Sequence, residues 1–163
     1  MIRYTFDPDA AKITFDATTS LHPVVASAPV EGWLEAEIAD DGFVPGSSLS
    51  GSLEVAVADI SSGNPIYDTE TRRRIDVKAH PLIVAELTKA TVSDTSAVVE
   101  GTVDFHGTST LLEGEVRLEP GPVLTGTGTI DIRWWDLRPP SLMVFKVQPE
   151  VLITVSLPLV EAH

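Results

Sequence analysis

The chain contains no cysteine, so disulfides, thiol chemistry and thiolate metal sites are excluded. Positive charge is scarce. There are 11 Lys and Arg against 24 Asp and Glu, a formal net charge of −13. Binding to nucleic acid needs a basic stripe, and anionic lipid surfaces attract Lys and Arg, so this balance argues against both. Aromatic residues make up only 6% of the chain. No window approaches the ~20 apolar residues of a membrane-spanning helix. The opening Met1-Ile2-Arg3-Tyr4-Thr5-Phe6-Asp7 lacks a charged leader followed by an apolar segment. As it stands the sequence predicts a cytoplasmic location, or a periplasmic or secreted one if a signal has been removed. No nucleophile elbow, P-loop or Gly-rich dinucleotide fingerprint occurs. Neither a catalytic set, a cofactor nor a metal site is expected.

What is present is strand chemistry. The chain has 163 residues, 43% of them hydrophobic, with the apolar content carried by Val, Ile, Leu and Ala. This suits one domain over residues 1–163, large enough for a core and a modest cavity. Apolar and polar residues alternate with period two, as a half-buried strand requires. Ile13, Phe15 and Ala17 share one side. So do Leu34, Ala36 and Ile38; Leu53, Val55 and Val57; and Val99, Gly101, Val103 and Phe105. Leu112, Gly114, Val116 and Leu118 follow, then Val151, Ile153, Val155, Leu157 and Leu159. Asp40-Asp41-Gly42, Pro45-Gly46 and Pro120-Gly121-Pro122 mark bends. Asp94-Thr95-Ser96 and His106-Gly107-Thr108 fall at hairpin distances, so Leu82 to Ile132 reads as a four-stranded meander.

Pro65 to Lys78 breaks the pattern. Asn64 is a cap, Pro65 a first-turn residue, and the polar run Asp68 to Arg74 carries a thin apolar edge. One short helix is predicted here, ending before His80-Pro81. Strands with one apolar side must cover it. A closed barrel of about eight strands does so, and so does a two-sheet sandwich. The pattern leaves both open.

Several segments in order resemble the YceI-like family, whose members are polyisoprenoid-binding and lipocalin-like. They are Tyr4-Thr5-Phe6-Asp7 with Ile13-Thr14-Phe15, and His22 with Gly32-Trp33-Leu34. Gly51-Ser52-Leu53-Glu54-Val55 follows, running through Asp59, Ser62-Gly63-Asn64, Asp68, Arg72 and Arg74 to His80-Pro81. Phe105-His106-Gly107-Thr108-Ser109 completes the set. The resemblance implies an all-β fold: an eight-stranded antiparallel lipocalin-like barrel with one short α-helix at one end. It implies an isoprenoid or other long-chain amphiphile inside, and a homodimer. The proline in Ser20-Leu21-His22-Pro23-Val24 and the late segment Trp134 to Pro140 depart from the family pattern, which bears on cavity shape.

On this reading the ligand-binding wall is Ile13, Phe15, Leu53, Val55, Val57, Val99, Val103, Phe105, Leu112 and Val116. The bland alternative is that these side chains fill a solid core. Trp134, Trp135, Met143 and Phe145 are either a gate at the mouth or an ordinary hydrophobic plug. Arg72, Arg74 and Lys78 are head-group candidates, or else a solvated helix face paired with nearby carboxylates. His22, His80 and His106 lack ligand spacing and read as structural. Gly126-Thr127-Gly128-Thr129 lies within a strand pattern, where small residues permit bending or close packing. Three functions follow. The first is binding, sequestration or transport of a long apolar ligand. The second is an enzyme cyclising or isomerising an apolar substrate, with a polar residue such as His22 or Asp136 inside. The third is a stress-related structural module with a filled interior.

Overall fold

The computed structural model describes residues 1–19, 23–135, 141–142 and 145–162; at 18–19, 23, 141–142 and 145–148 it describes the backbone alone. Strands β1 (Ile2–Phe6), β2 (Lys12–Thr19), β3 (Pro23–Pro29) and β4 (Glu31–Ala36) open the fold. The two-residue strands β5 (Ile38–Ala39) and β6 (Gly42–Phe43) follow, then β7 (Leu49–Ala56), a 3₁₀ turn (Val57–Asp59) and helix α1 (Pro65–Ile75). The meander is β8 (Leu82–Val92), β9 (Ser96–Phe105), β10 (Thr108–Glu119) and β11 (Val123–Asp131). A 3₁₀ turn (Ile132–Trp135), β12 (Ser141–Leu142) and the long β13 (Phe145–Glu161) end the chain.

The sheet closes on itself. The order β1-β4-β7-β8-β9-β10-β11-β13 returns to β1 through Tyr4↔Glu161 and Phe6↔Leu159, an antiparallel ring of eight strands. β13 is long enough to carry β1 and β2 end to end along one edge while β11 holds the other. β3 pairs with β2 and continues the line of β4, and a bridge from Ser27 to Ser61 ties it to the turn after β7. The ring closes through the β1–β13 pairing, so the pattern is met by a barrel and not a sandwich.

Local chemistry explains the joints. His106 and Gly107 both have positive φ, 52° and 77°, the two-residue turn that suits strand twist and sets Phe105 opposite Thr108. Asn64 Oδ1 accepts from the Ile66 and Tyr67 amides at 3.0 and 3.4 Å, capping α1 with Pro65 behind it. The helix ends at Ile75, before the Lys78 expected from sequence, because Asp76 takes a left-handed conformation and its N–H returns to the Arg72 carbonyl.

Two packed clusters lie at opposite ends of the barrel. The larger contains Tyr4, Leu34, Phe43, Val92, Leu118 and Leu157 and is roofed by the β5–β6 hairpin. That hairpin is anchored by the Phe43 amide on the Asp94 carbonyl. The smaller holds Val57, Ile75, Val103, Phe105 and Trp135 beneath α1. Among the described residues no helix is long and apolar enough to cross a membrane.

Candidate ligand cavity

Between the two clusters the barrel is hollow. The space measures about 380 Å³ and is not sealed. That volume falls within the range of about 300–1,000 Å³ typical of small-molecule pockets. The walls are built by the inward half of each alternating strand. Ile13 and Phe15 face it from β2, Leu53 from β7, and Val99, Val103 and Phe105 from β9. Leu112 and Val116 face it from β10, while Val57 and Trp135 close in from the two 3₁₀ turns. Leu87, Ile153 and Val155 also line it. The last two stood in an alternating run of the sequence, and the site expected from sequence did not include them.

Glycines widen the interior where strands come close. A Cβ on Gly126 would stand 3.1 Å from Val116 Cγ1 and 3.2 Å from Val155 Cγ2. The Gly126-Thr127-Gly128 stretch is thus a packing feature of β11, not a phosphate loop. The wall also parts on one side. β10 and β11 pair only from Glu115↔Thr127 to Glu119↔Val123. Beyond that point β10 stays with β9 and β11 with β13, so their ladder is open toward the helix end.

Other expected residues stand elsewhere. Val55 has no exposed surface, belongs to the larger packed cluster and does not line the hollow. Trp134 is 42% exposed and does not line the cavity, whereas Trp135 is 2% exposed and does. In the tight turn the two neighbours diverge, their rings 5.8 Å apart and tilted. Arg74 points to Glu70 at 2.8 Å, and Lys78 is exposed beyond the helix end; neither lines the cavity. Arg72 does. Met143, His22 and Asp136 lie outside the described residues, and of Phe145 only the backbone is described.

The helix end of the cavity has a different chemistry from the walls. Tyr67, Asp68, Thr71, Arg72 and Ile75, one stripe of α1, face it. This polar stripe was missed from sequence, since nothing in the pattern shows which side of α1 docks. Behind it Phe105 packs edge-on to Trp135 at 5.9 Å, and the rings of His80 and His106 lie 4.0 Å apart, tilted by 35°. Among the described residues Trp135 Nε1 is buried without a hydrogen-bond partner, and no cluster of three or more His, Asp or Glu is placed to hold a metal.

Comparison with known proteins agrees with this architecture. No curated protein matches the chain. The crystal structure of Burkholderia cenocepacia BcnA superposes with a TM-score of 0.76 at 15% identity, covering 93% of this chain and 98% of that one. A polyisoprenoid binding domain from Saccharophagus degradans, implicated in plant cell wall breakdown, gives 0.70 at 14% identity and covers 100% of both chains. The Campylobacter jejuni YCEI protein gives 0.65 at 12% identity, covering 86% of this chain and 85% of that one. At these identities the likeness speaks for the barrel itself. The model of the YceI-like domain matches residues 4–159, from the first strand of the ring to the last. A closed ring with its hollow, spanned end to end by that match, places the chain in the YceI-like domain family.

Proposed function

We propose that the barrel binds one long apolar chain, of isoprenoid or acyl type, and sequesters or carries it. The observation that carries this reading is the hollow of about 380 Å³ in the middle of the fold, with almost wholly apolar walls. Shielding such a chain from water contributes about 0.8 kcal/mol per methylene, so affinity accrues without specific contacts. At about 30 Å³ per water-sized group, the space takes a dozen or so chain carbons. That is enough for one tail. The described polyisoprenoid binding of the Saccharophagus domain supports the same class of ligand. Phe15, Leu53, Val99 and Val116 are the wall residues proposed to touch the tail.

The test is solvent extraction of purified protein with mass spectrometry of the extract, followed by uptake of farnesol and tetradecanoic acid. A bound or captured single-tailed amphiphile is expected. Val116→Phe with Ile153→Phe should fill the hollow and weaken uptake at least about tenfold, since several buried methylene contacts are lost. The circular dichroism spectrum should not change. Repeated extracts without amphiphile, together with no uptake of either probe, would sink the proposal.

A further inference from the structure

Three consecutive arginines lie on α1, and they are not equivalent. Arg73 and Arg74 both bind Glu70, at 2.7 and 2.8 Å. Arg72 is half-buried at the edge of the cavity, and its Nη2 donates to the Ile60 carbonyl oxygen at 3.3 Å. Among the described residues no carboxylate reaches it within ion-pairing distance. Asp68, one turn earlier, is the obvious partner, but its carboxylate is engaged elsewhere. It accepts from the Ser62 amide at 2.9 Å, Ser62 Oγ at 2.7 Å and Ser61 Oγ at 3.3 Å. In a chain with 24 acidic and 11 basic residues, the arginine that faces the cavity has no carboxylate paired with it among the described residues. A guanidinium offers five donors in a fork shaped for carboxylate or phosphate, and most of those on Arg72 are unused.

We infer that Arg72 receives the anionic head of the bound amphiphile, a carboxylate or a phosphate monoester, while the tail lies along the strand walls. The inference rests on the ligand-binding role proposed above and adds polarity to it. The head sits under α1, and the tail points toward the packed end. Thr71, on the same stripe, stands at the same polar edge.

The experiment compares three probes of one chain length on the delipidated full chain: tetradecanoic acid, tetradecyl phosphate and tetradecanol. At least one anionic probe should bind about tenfold more tightly than the alcohol, the worth of a charge-assisted hydrogen-bond pair. Arg72→Gln should bring that probe down to the alcohol's affinity and leave the alcohol unchanged. Arg72→Lys should restore part of the preference. Arg74→Gln should keep all of it, because that side chain serves Glu70. Preference for the acid names an acyl carboxylate as the head, and preference for the phosphate names a phosphorylated lipid; either supports the inference. It is overturned if the alcohol binds the wild type as tightly as both anions, or if Arg72→Gln keeps the preference. Failure of all three probes to bind would overturn the cavity reading as well.

Discussion

The two ends of this barrel are built on opposite plans. At the hairpin end, Leu34 and Leu157 are each 2% exposed and Phe43 caps the interior from β6. The buried cluster there, with Tyr4, Val92 and Leu118, is aliphatic and aromatic. At the helix end the cluster is small, and α1 contributes only Ile75 as a buried residue while Ile66 is 70% exposed. Among the described residues, a buried indole N–H without an acceptor, a close histidine pair and a cavity-facing arginine without a carboxylate gather at this end. The contrast teaches how a small barrel keeps a hollow. Stability is concentrated where packing is dense, and the end where the wall parts is left polar and lightly held.

The strongest test of this contrast is truncation in each cluster. Leu34→Ala is expected to cost about 3–5 kcal/mol, because the densely packed end collapses little around the lost methyls. Ile75→Ala, beneath the helix, is expected to cost about 2 kcal/mol, at the low end for such a change. Urea unfolding monitored by far-ultraviolet circular dichroism measures both. Equal losses would mean that the helix end carries as much of the fold as the hairpin end, and the contrast would fail.

Legibility from sequence follows the same division. Period two is a property of the strand backbone, so β9, β10 and β13 and their inward residues were readable. β8 was not. A bulge between Leu87 and Lys89 shifts its inward set from Ile83, Ala85 and Leu87 to Ala90 and Val92, which erases the alternation in LIVAELTKATV. Barrel or sandwich depends on the β1–β13 pairing, and two distant strands meeting leave no local signal. The site divides likewise. Val103 and Leu112 followed from pattern and resemblance. Val55 did not, because its neighbours decide whether an inward residue meets the hollow or is covered. Among the helix cations, Arg72 and Arg74 look alike in sequence; only the docking of α1 gives one to the cavity and the other to Glu70.

A milder perturbation asks whether the helix end moves independently. Asn64→Ala removes the side-chain oxygen that caps α1 and is expected to cost about 1 kcal/mol. Amide hydrogen exchange should quicken along α1, from Tyr67 to Ile75, while the amides of Val92 and Leu118 keep their protection. Uniform acceleration across both ends would show one cooperative unit. Local acceleration would sharpen the division and show that α1 opens below the global unfolding free energy.

The smallest expected effect is a difference in pH response. The Glu70 carboxyl is held below the usual carboxylate range by hydrogen bonds from Arg73 and then Arg74. A lowered folded value means that these ion pairs contribute fully above the unfolded carboxylate value of about 4 and are lost as pH falls through the folded value. Glu70 and its partners face water, so the loss is slight and confined to α1. Tyr4, at the hairpin end, is shifted the other way: burial, and then the charge of Glu161, raise its phenol above the ordinary value. Its contribution is complete below about 10 and disappears as pH rises through the folded value. The helix end should therefore loosen first in acid, and the hairpin end in alkali. The chain has two tyrosines, so Tyr67→Phe leaves Tyr4 as its one phenol, and tyrosinate absorbance then reports that end alone. A Tyr4 that ionises at the value of free tyrosine would place it in water and remove the alkaline half of the contrast.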